Sequence, residues 1–239
     1  MPQTSKFIEN ILRKGRVPPK LRKHVYRTEV IKRLSKEIVK ISNESICHWL
    51  VVHGMPGCGK TCLVSDTLRF SPEILGHYYE KIVWLTDRTT DISKLPNVFI
   101  NAIVMLRSGQ QLQKTYPENN PEFLLNEFIY ELECNSRTLF VIDDVYLSDC
   151  VRFFEGLSCS IIWITSNKEI FNWLQEEETS RFFNLGDDEY FSMTEINKLS
   201  KLHGLNLNKS QLFELAKNSG GNPAFLGKIF RLALGQMEM

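Results

Sequence analysis

The sequence predicts an α/β fold, a parallel sheet with helices on both faces, followed by a small all-helical domain. Three observations carry that prediction. Short apolar runs rich in β-formers alternate with stretches whose apolar residues recur at helical spacing, the pattern of strands buried beneath helices on both sides. A glycine-rich turn joins the first of these runs to the helix-spaced stretch after it. From Phe191 onward the strand pattern stops and three helical segments remain. The expected organisation is a basic linker over 1–23, an α/β domain over 24–187 and a helical domain over 188–239.

The elements follow in order. Phe7-Ile8-Glu9-Asn10-Ile11-Leu12 is a short amphipathic piece, and Gly15 with Pro18-Pro19 would end any helix there. Val30, Ile31, Leu34, Ile38, Val39 and Ile41 recur at near-helical spacing, which predicts a helix over 29–41 closed by Asn43-Glu44-Ser45. Strands are expected at Trp49-Leu50-Val51-Val52, Ile82-Val83-Trp84-Leu85, Leu139-Phe140-Val141-Ile142, Ile161-Ile162-Trp163-Ile164 and Phe182-Phe183-Asn184-Leu185. Helices are expected at 62–68, 98–106, 123–132, 151–157 and 170–174, then at 193–203, 209–218 and 224–236. The four tryptophans lie in or beside these segments, as core residues do.

Between the first strand and its helix stands Gly54-Met55-Pro56-Gly57-Cys58-Gly59-Lys60-Thr61, which matches G-x-x-x-x-G-K-[ST] at every fixed position. Glycines let the backbone take positive φ values that turn successive N–H groups inward, a nest for phosphate oxygens at a helix N-terminus. Gly57, Cys58, Gly59, Lys60, Thr61 and Cys62 would hold the phosphates of a nucleotide through their amides. Lys60 adds a point charge for the outer phosphates, and the Thr61 hydroxyl offers an oxygen to Mg²⁺. Leu139 to Ile142 lead into Asp143-Asp144. A carboxylate at the C-terminal end of a central strand emerges in the crevice where such a ligand lies, so Asp143 is expected to meet Thr61 on the same Mg²⁺. Asp144 stands where a water-orienting or general-base acid would act.

Composition excludes other classes. A chain of 239 residues that is 43% hydrophobic and 24% charged falls outside the disordered and fibrous ranges. A net charge of +1 argues against nucleic acid as a partner, and the basic residues of the first 27 positions read as a solvated linker. The six cysteines form no C-x-x-C pair, and the five histidines are dispersed, so neither a zinc centre nor a disulfide framework is signalled. Without an apolar leader or a long uncharged apolar stretch, the expectation is a cytoplasmic protein with no membrane insertion.

Four motifs in order, Gly54 to Thr61, Thr138-Leu139-Phe140-Val141-Ile142-Asp143-Asp144-Val145, Ile164-Thr165-Ser166-Asn167 and Gly220-Gly221-Asn222-Pro223-Ala224, resemble the NB-ARC, or AP-ATPase, family over about residues 16–235. Within that family the chain is most similar to apoptosis regulators. The resemblance implies a switch that grips ADP or ATP with Mg²⁺ between an α/β and a helical domain. Homo- or hetero-oligomers with related NB-ARC proteins, and control of caspase-pathway proteins, are implied with it. It places Pro223 on the adenine and Val25-Tyr26-Arg27 against the other side of the base. Such proteins carry Arg where this chain has Asn167. An amide does not neutralise developing phosphate charge as a guanidinium does, which predicts weak or no ATPase activity. Relatives of this group also have a recruitment domain before this core and a winged-helix domain after it, so the resemblance fits a fragment or a stand-alone paralogue that modulates a full-length homologue. The rival reading, a hydrolytically competent P-loop ATPase or phosphotransferase, requires an acceptor pocket and an arginine lid that the sequence does not locate.

Overall fold

In a computed structural model, the described residues are 2–43, 48–87, 95–107, 121–155, 157–174, 180–186 and 190–235. Five strands, β1 Trp49–Gly54, β2 Lys81–Thr86, β3 Thr138–Asp143, β4 Ser160–Thr165 and β5 Ser180–Leu185, form one sheet in the order β2-β3-β4-β1-β5. Every pairing is parallel. Parallel strands need crossovers on the faces, so both faces are covered and the strands are apolar throughout. Alternate side chains serve opposite cores. Leu50, Val52, Leu139, Val141, Ile162 and Ile164 pack with α1 Pro2–Lys14, α2 Thr28–Asn43 and α3 Lys60–Phe70. Val51, Phe140, Ile142, Ile161 and Trp163 pack on the other face with α4 Leu95–Leu106, α5 Pro121–Cys134, α6 Ser148–Arg152 and the 3-10 helix Lys168–Leu174.

The expected strands are all present, each extended by one or two residues at its ends. Three segments differ from expectation. Helix α6 stops at Arg152 and gives way to a turn that reaches Glu155. A five-residue π-type turn at Ile74–Tyr78, with Gly76 at φ 94°, buries Ile74 and Leu75 where no element was expected. In the stretch read as a basic linker, helix α1 covers 13 residues and seats Ile8, Ile11 and Leu12 in the first core. The Gly15 carbonyl then accepts a hydrogen bond from the Trp84 amide at 3.0 Å, covering the outer edge of β2. A Cβ at Gly15 would meet the Ile82 carbonyl at 2.7 Å, so this approach requires glycine.

Three helices complete the chain, α7 Met193–Leu202, α8 Lys209–Ser219 and α9 Pro223–Ala233. Capping boxes Ser192/Glu195 and Asn208/Gln211 start α7 and α8, and Asn222 with Pro223 at the first helical positions starts α9. Ile196, Leu199, Leu212, Leu226 and Phe230 form their core, together with Val25 and Phe191 from outside the three helices.

Candidate functional site

The site grows from the end of β1. Gly54, Gly57 and Gly59 hold φ values of 155°, 81° and 89°. Gly59 is the N-cap of α3 in the left-handed region and no side chain caps that helix. The first-turn amides of α3, together with the positive end of its dipole, are therefore left for an anion. Lys60 is nearly buried. Its ammonium donates to the Gly54 carbonyl at 2.9 Å, the Met55 carbonyl at 3.0 Å and Ser166 Oγ at 2.9 Å. Burial pulls its pKa below the ordinary lysine value, while Cys58, Asp144 and Asp143 pull it back.

The sheet order brings the acids to this lysine. Thr61 Oγ1 donates to Asp143 Oδ1 at 3.0 Å, so the hydroxyl and carboxylate expected to share a cation are already in contact. Asp143 is buried, and desolvation pushes its carboxyl up to about 6 against the Thr61 hydrogen bond, which lowers it. An alcohol oxygen and a buried carboxylate are hard donors that fit Mg²⁺ and leave most of its shell to water and phosphate. Asp144 follows at φ 66°, outside the usual range for a residue with a side chain, and Tyr146 Oη donates to its Oδ1 at 3.0 Å.

Arg27 closes the loop from behind. Its Nη1 donates to the Cys58 carbonyl and its Nη2 to the Gly59 carbonyl, each at 3.0 Å, and the guanidinium lies 5.8 Å from the Phe191 ring centroid. A methyl at Gly59 would sit 2.9 Å from Arg27 Nη2 and 3.7 Å from Pro223 Cγ, so the space over Gly59 lies between these two residues. The start of α9 meets the loop directly. The Ala224 amide donates to the Gly57 carbonyl at 3.2 Å, and a Cβ on Gly57 would lie 2.7 Å from Ala224 Cβ. Beside this contact opens a cleft of ≈480 Å³ bordered by Met55, Pro56, Tyr190, Asn222, Phe225 and Lys228.

The structure thus brings Gly57, Cys58, Gly59, Lys60, Thr61, Asp143, Arg27 and Pro223 around one loop. Val25 and Tyr26 go elsewhere. Val25 is buried in the helical core, and the Tyr26 ring packs edge-on to Phe70 at 4.4 Å and to His24 at 4.8 Å. Cys58 and Cys62 are pushed above the ordinary thiol value, chiefly by burial. Asn167 is exposed and its Oδ1 accepts from the Glu169 amide at 3.1 Å, a local cap of the 3-10 helix. Sequence reasoning missed Ser166 as the lysine's partner, the Asn222–Ala224 contact with Gly57, and the buried His24–Asp66 pair, Nε2 to Oδ2 at 2.5 Å. Adjacency in sequence carried no signal for the last two. For Ser166 the signal was its place one residue beyond a central strand.

Comparisons with known proteins bear on the family and the fold. A family described as NB-ARC domain matches residues 27–201. The chain is 28% identical over 191 residues to Cell death protein 4 of Caenorhabditis elegans, covering 77% of this chain and 34% of that protein. It is 25% identical over 164 residues to human Apoptotic protease-activating factor 1, covering 69% of this chain and 13% of that one. The chain therefore spans about a third of the first relative's length and far less of the second's. Among solved structures, the Aeropyrum pernix ORC2 protein in its ADPNP-ADP complexes superposes with a TM-score of 0.55 at 13% identity, over 93% of this chain and 67% of that one, which is a likeness of fold.

Proposed function

This chain belongs to the NB-ARC family, and from that membership we propose that it is an adenine-nucleotide switch, binding ADP or ATP with Mg²⁺ and turning it over slowly or not at all. One observation carries the reading. The α/β body and the helical unit meet on the phosphate loop itself, through Ala224 on Gly57 and through Arg27 between the loop carbonyls and Phe191. A phosphate that reshapes the loop changes the contact between the two units. The α3 amides and Lys60 would hold the phosphates, Thr61 and Asp143 the cation, and Pro223 the base. The cation, when bound, would neutralise charge on the outer phosphates. Slow turnover fits Asn167, an exposed side chain with no positive charge whose Oδ1 accepts from the Glu169 backbone N–H.

The switch would act through assembly with related NB-ARC chains in cell death and, as the name of the second relative suggests, in the control of apoptotic proteases. The cytoplasm is the compartment assigned with it; among the described residues no helix is long and apolar enough to cross a membrane. The test is extraction of nucleotide from purified protein and its identification by mass. Retained ADP or ATP in the wild type, lost in Lys60→Ala, is the expected result. Equal nucleotide content in the two proteins overturns the proposal, and sustained turnover with Mg²⁺ would move the reading to a competent ATPase.

A further inference from the structure

Residues 17–27, between α1 and α2, form neither helix nor strand, and side chains of α3 set their course. Near the start, the Pro18 carbonyl accepts from Ser65 Oγ at 2.9 Å and from Arg69 Nη2 at 2.7 Å. Near the end, His24 Nε2 lies 2.5 Å from Asp66 Oδ2 with both side chains nearly buried, and the Tyr26 ring meets Phe70 edge-on. The segment finishes on Arg27, whose guanidinium reaches back to the loop that precedes the same helix.

What Arg27 does there follows from the peptide plane. In a trans peptide the carbonyl of one residue and the N–H of the next point in opposite directions. Arg27 holds the Cys58 and Gly59 carbonyls at 3.0 Å each, so the Gly59 and Lys60 amides face away from it, toward the anion site. The Gly59 carbonyl has a second hold, since it also accepts from the Leu63 amide at 2.9 Å as the first bond of α3. The Cys58 carbonyl precedes the helix cap and takes no part in that ladder. Gly59, at φ 89°, has no Cβ to oppose rotation of the Cys58–Gly59 peptide. Turned over, that peptide would present an oxygen to the phosphates in place of a donor.

Arg27 acts in this way as long as its own backbone is fixed. On one side, α2 begins at Thr28 and the Arg27 carbonyl accepts from the Ile31 amide at 2.9 Å. On the other side, three residues back, stands the His24–Asp66 contact. Asp66 also acts on the guanidinium by charge: burial pulls the Arg27 pKa below the ordinary value, and Cys58, Cys62, Glu195 and Asp66 pull it back. We propose that His24 and Asp66 are positioning residues for the phosphate loop, which through Arg27 keep the Gly59 amide turned toward the nucleotide. This inference rests on the nucleotide reading above and adds to it two residues that touch no ligand.

The experiment is a double-mutant cycle, read by calorimetry on nucleotide-free protein titrated with ADP and Mg²⁺. Arg27→Ala lowers ADP affinity about tenfold and His24→Ala about fivefold, while the double variant stays within about twofold of Arg27→Ala. His24→Gln restores an N–H for Asp66 and returns the affinity to within about twofold of the wild type. His24→Ala leaves a buried carboxylate without its partner, so the paired variant His24→Leu with Asp66→Leu, in which neither polar group remains, repeats the cycle without that cost. Losses that add in the double variants overturn the inference, because the pair then supports the fold without acting through Arg27. Unchanged ADP affinity in Arg27→Ala, or in both replacements of His24 by an apolar residue, overturns it as well. A wild-type protein that binds no ADP, or a Lys60→Ala protein that binds as the wild type does, sinks the nucleotide reading instead.

Discussion

The α/β body and the helical unit solve the burial problem differently. Each face of the sheet has its own core, and strand residues such as Leu50, Val51, Phe140 and Val141 are fully buried. The helical unit closes its core with Val25 and Phe191 from the preceding chain, while both regions expose large apolar side chains, Phe213 at 65% and Leu232 at 61% in the helical unit and Met55 and Tyr130 at 60% each in the body. A cluster of three short helices gives little surplus over the entropy of ordering them. The helical unit therefore draws part of its core from outside its three helices. Among the described residues its contacts with the body include the Ala224–Gly57 hydrogen bond at the phosphate loop and the Val25 side chain in the helical core; under the switch reading, a ligand bound at the loop would act on that contact.

The largest way to break the comparison is to empty one core at a time. Phe140 is fully buried and packs edge-on against Phe128 at 5.6 Å, so Phe140→Ala should cost about 3–5 kcal/mol. Because the helical unit depends on the body, far-UV and tryptophan signals should then be lost together in urea. Phe230→Ala removes a ring of the same size from the helical core, yet the tryptophans all lie in the body. In that variant the helical signal should fall first while the tryptophan transition keeps its midpoint. Coincident transitions in Phe230→Ala would show that the two units are one cooperative block.

A smaller change sharpens the contact between them. At Gly57, φ 81° is the left-handed region, and a Cβ would lie 2.7 Å from Ala224 Cβ. Gly57→Ala should cost about 1–2 kcal/mol for the backbone alone, with the contact added to it. Strain at this point is relieved most simply by lifting α9 off the loop. Limited proteolysis should cut faster between β5 and α7 while the urea midpoint of the body changes little. An unchanged cleavage rate would mean that the Ala224–Gly57 contact does not hold the units together.

What the sequence revealed and what it hid divide along the same line. The strands and the phosphate loop were legible because their signals are local: a run of four apolar residues, a glycine spacing, two aspartates after a strand. The π-type turn at Ile74–Tyr78 was hidden because its burial depends on α2 and α1, which pack on it from elsewhere in the chain. Helix α1 was half visible in Phe7 to Leu12, but Gly15 and Pro18-Pro19 read as linker punctuation. Only the fold shows that Gly15 is glycine because it rests against Ile82. At the site, Lys60, Thr61 and Asp143 follow from spacing. Arg27 on the loop carbonyls and Ala224 on Gly57 join residues 31 or more positions apart, and no periodicity encodes such a contact.

The smallest effect concerns pH and falls on the helical unit. His203 ends α7, its ring lies 5.2 Å from that of Phe230, and its Nδ1 is buried without a partner among the described residues. Burial, followed by the nearby charges of Lys23 and Arg231, pulls its pKa below the ordinary histidine value. A lowered value means that the unfolded chain takes up the proton more readily than the folded one. The stability contributed by the neutral ring is therefore fully present above about pH 6.5 and drains away as pH falls through that value toward the folded pKa. Since the ring is only partly buried, screening holds the effect under about 1 kcal/mol. Hydrogen exchange at the amides of α7 and α9, corrected for intrinsic rates, should show a loss of protection between pH 7.5 and pH 5, by estimate about fivefold at most. His203→Gln should flatten that dependence. If the variant and the wild type lose protection alike, the acid sensitivity belongs to another group, and the helical unit rests on the body by packing alone.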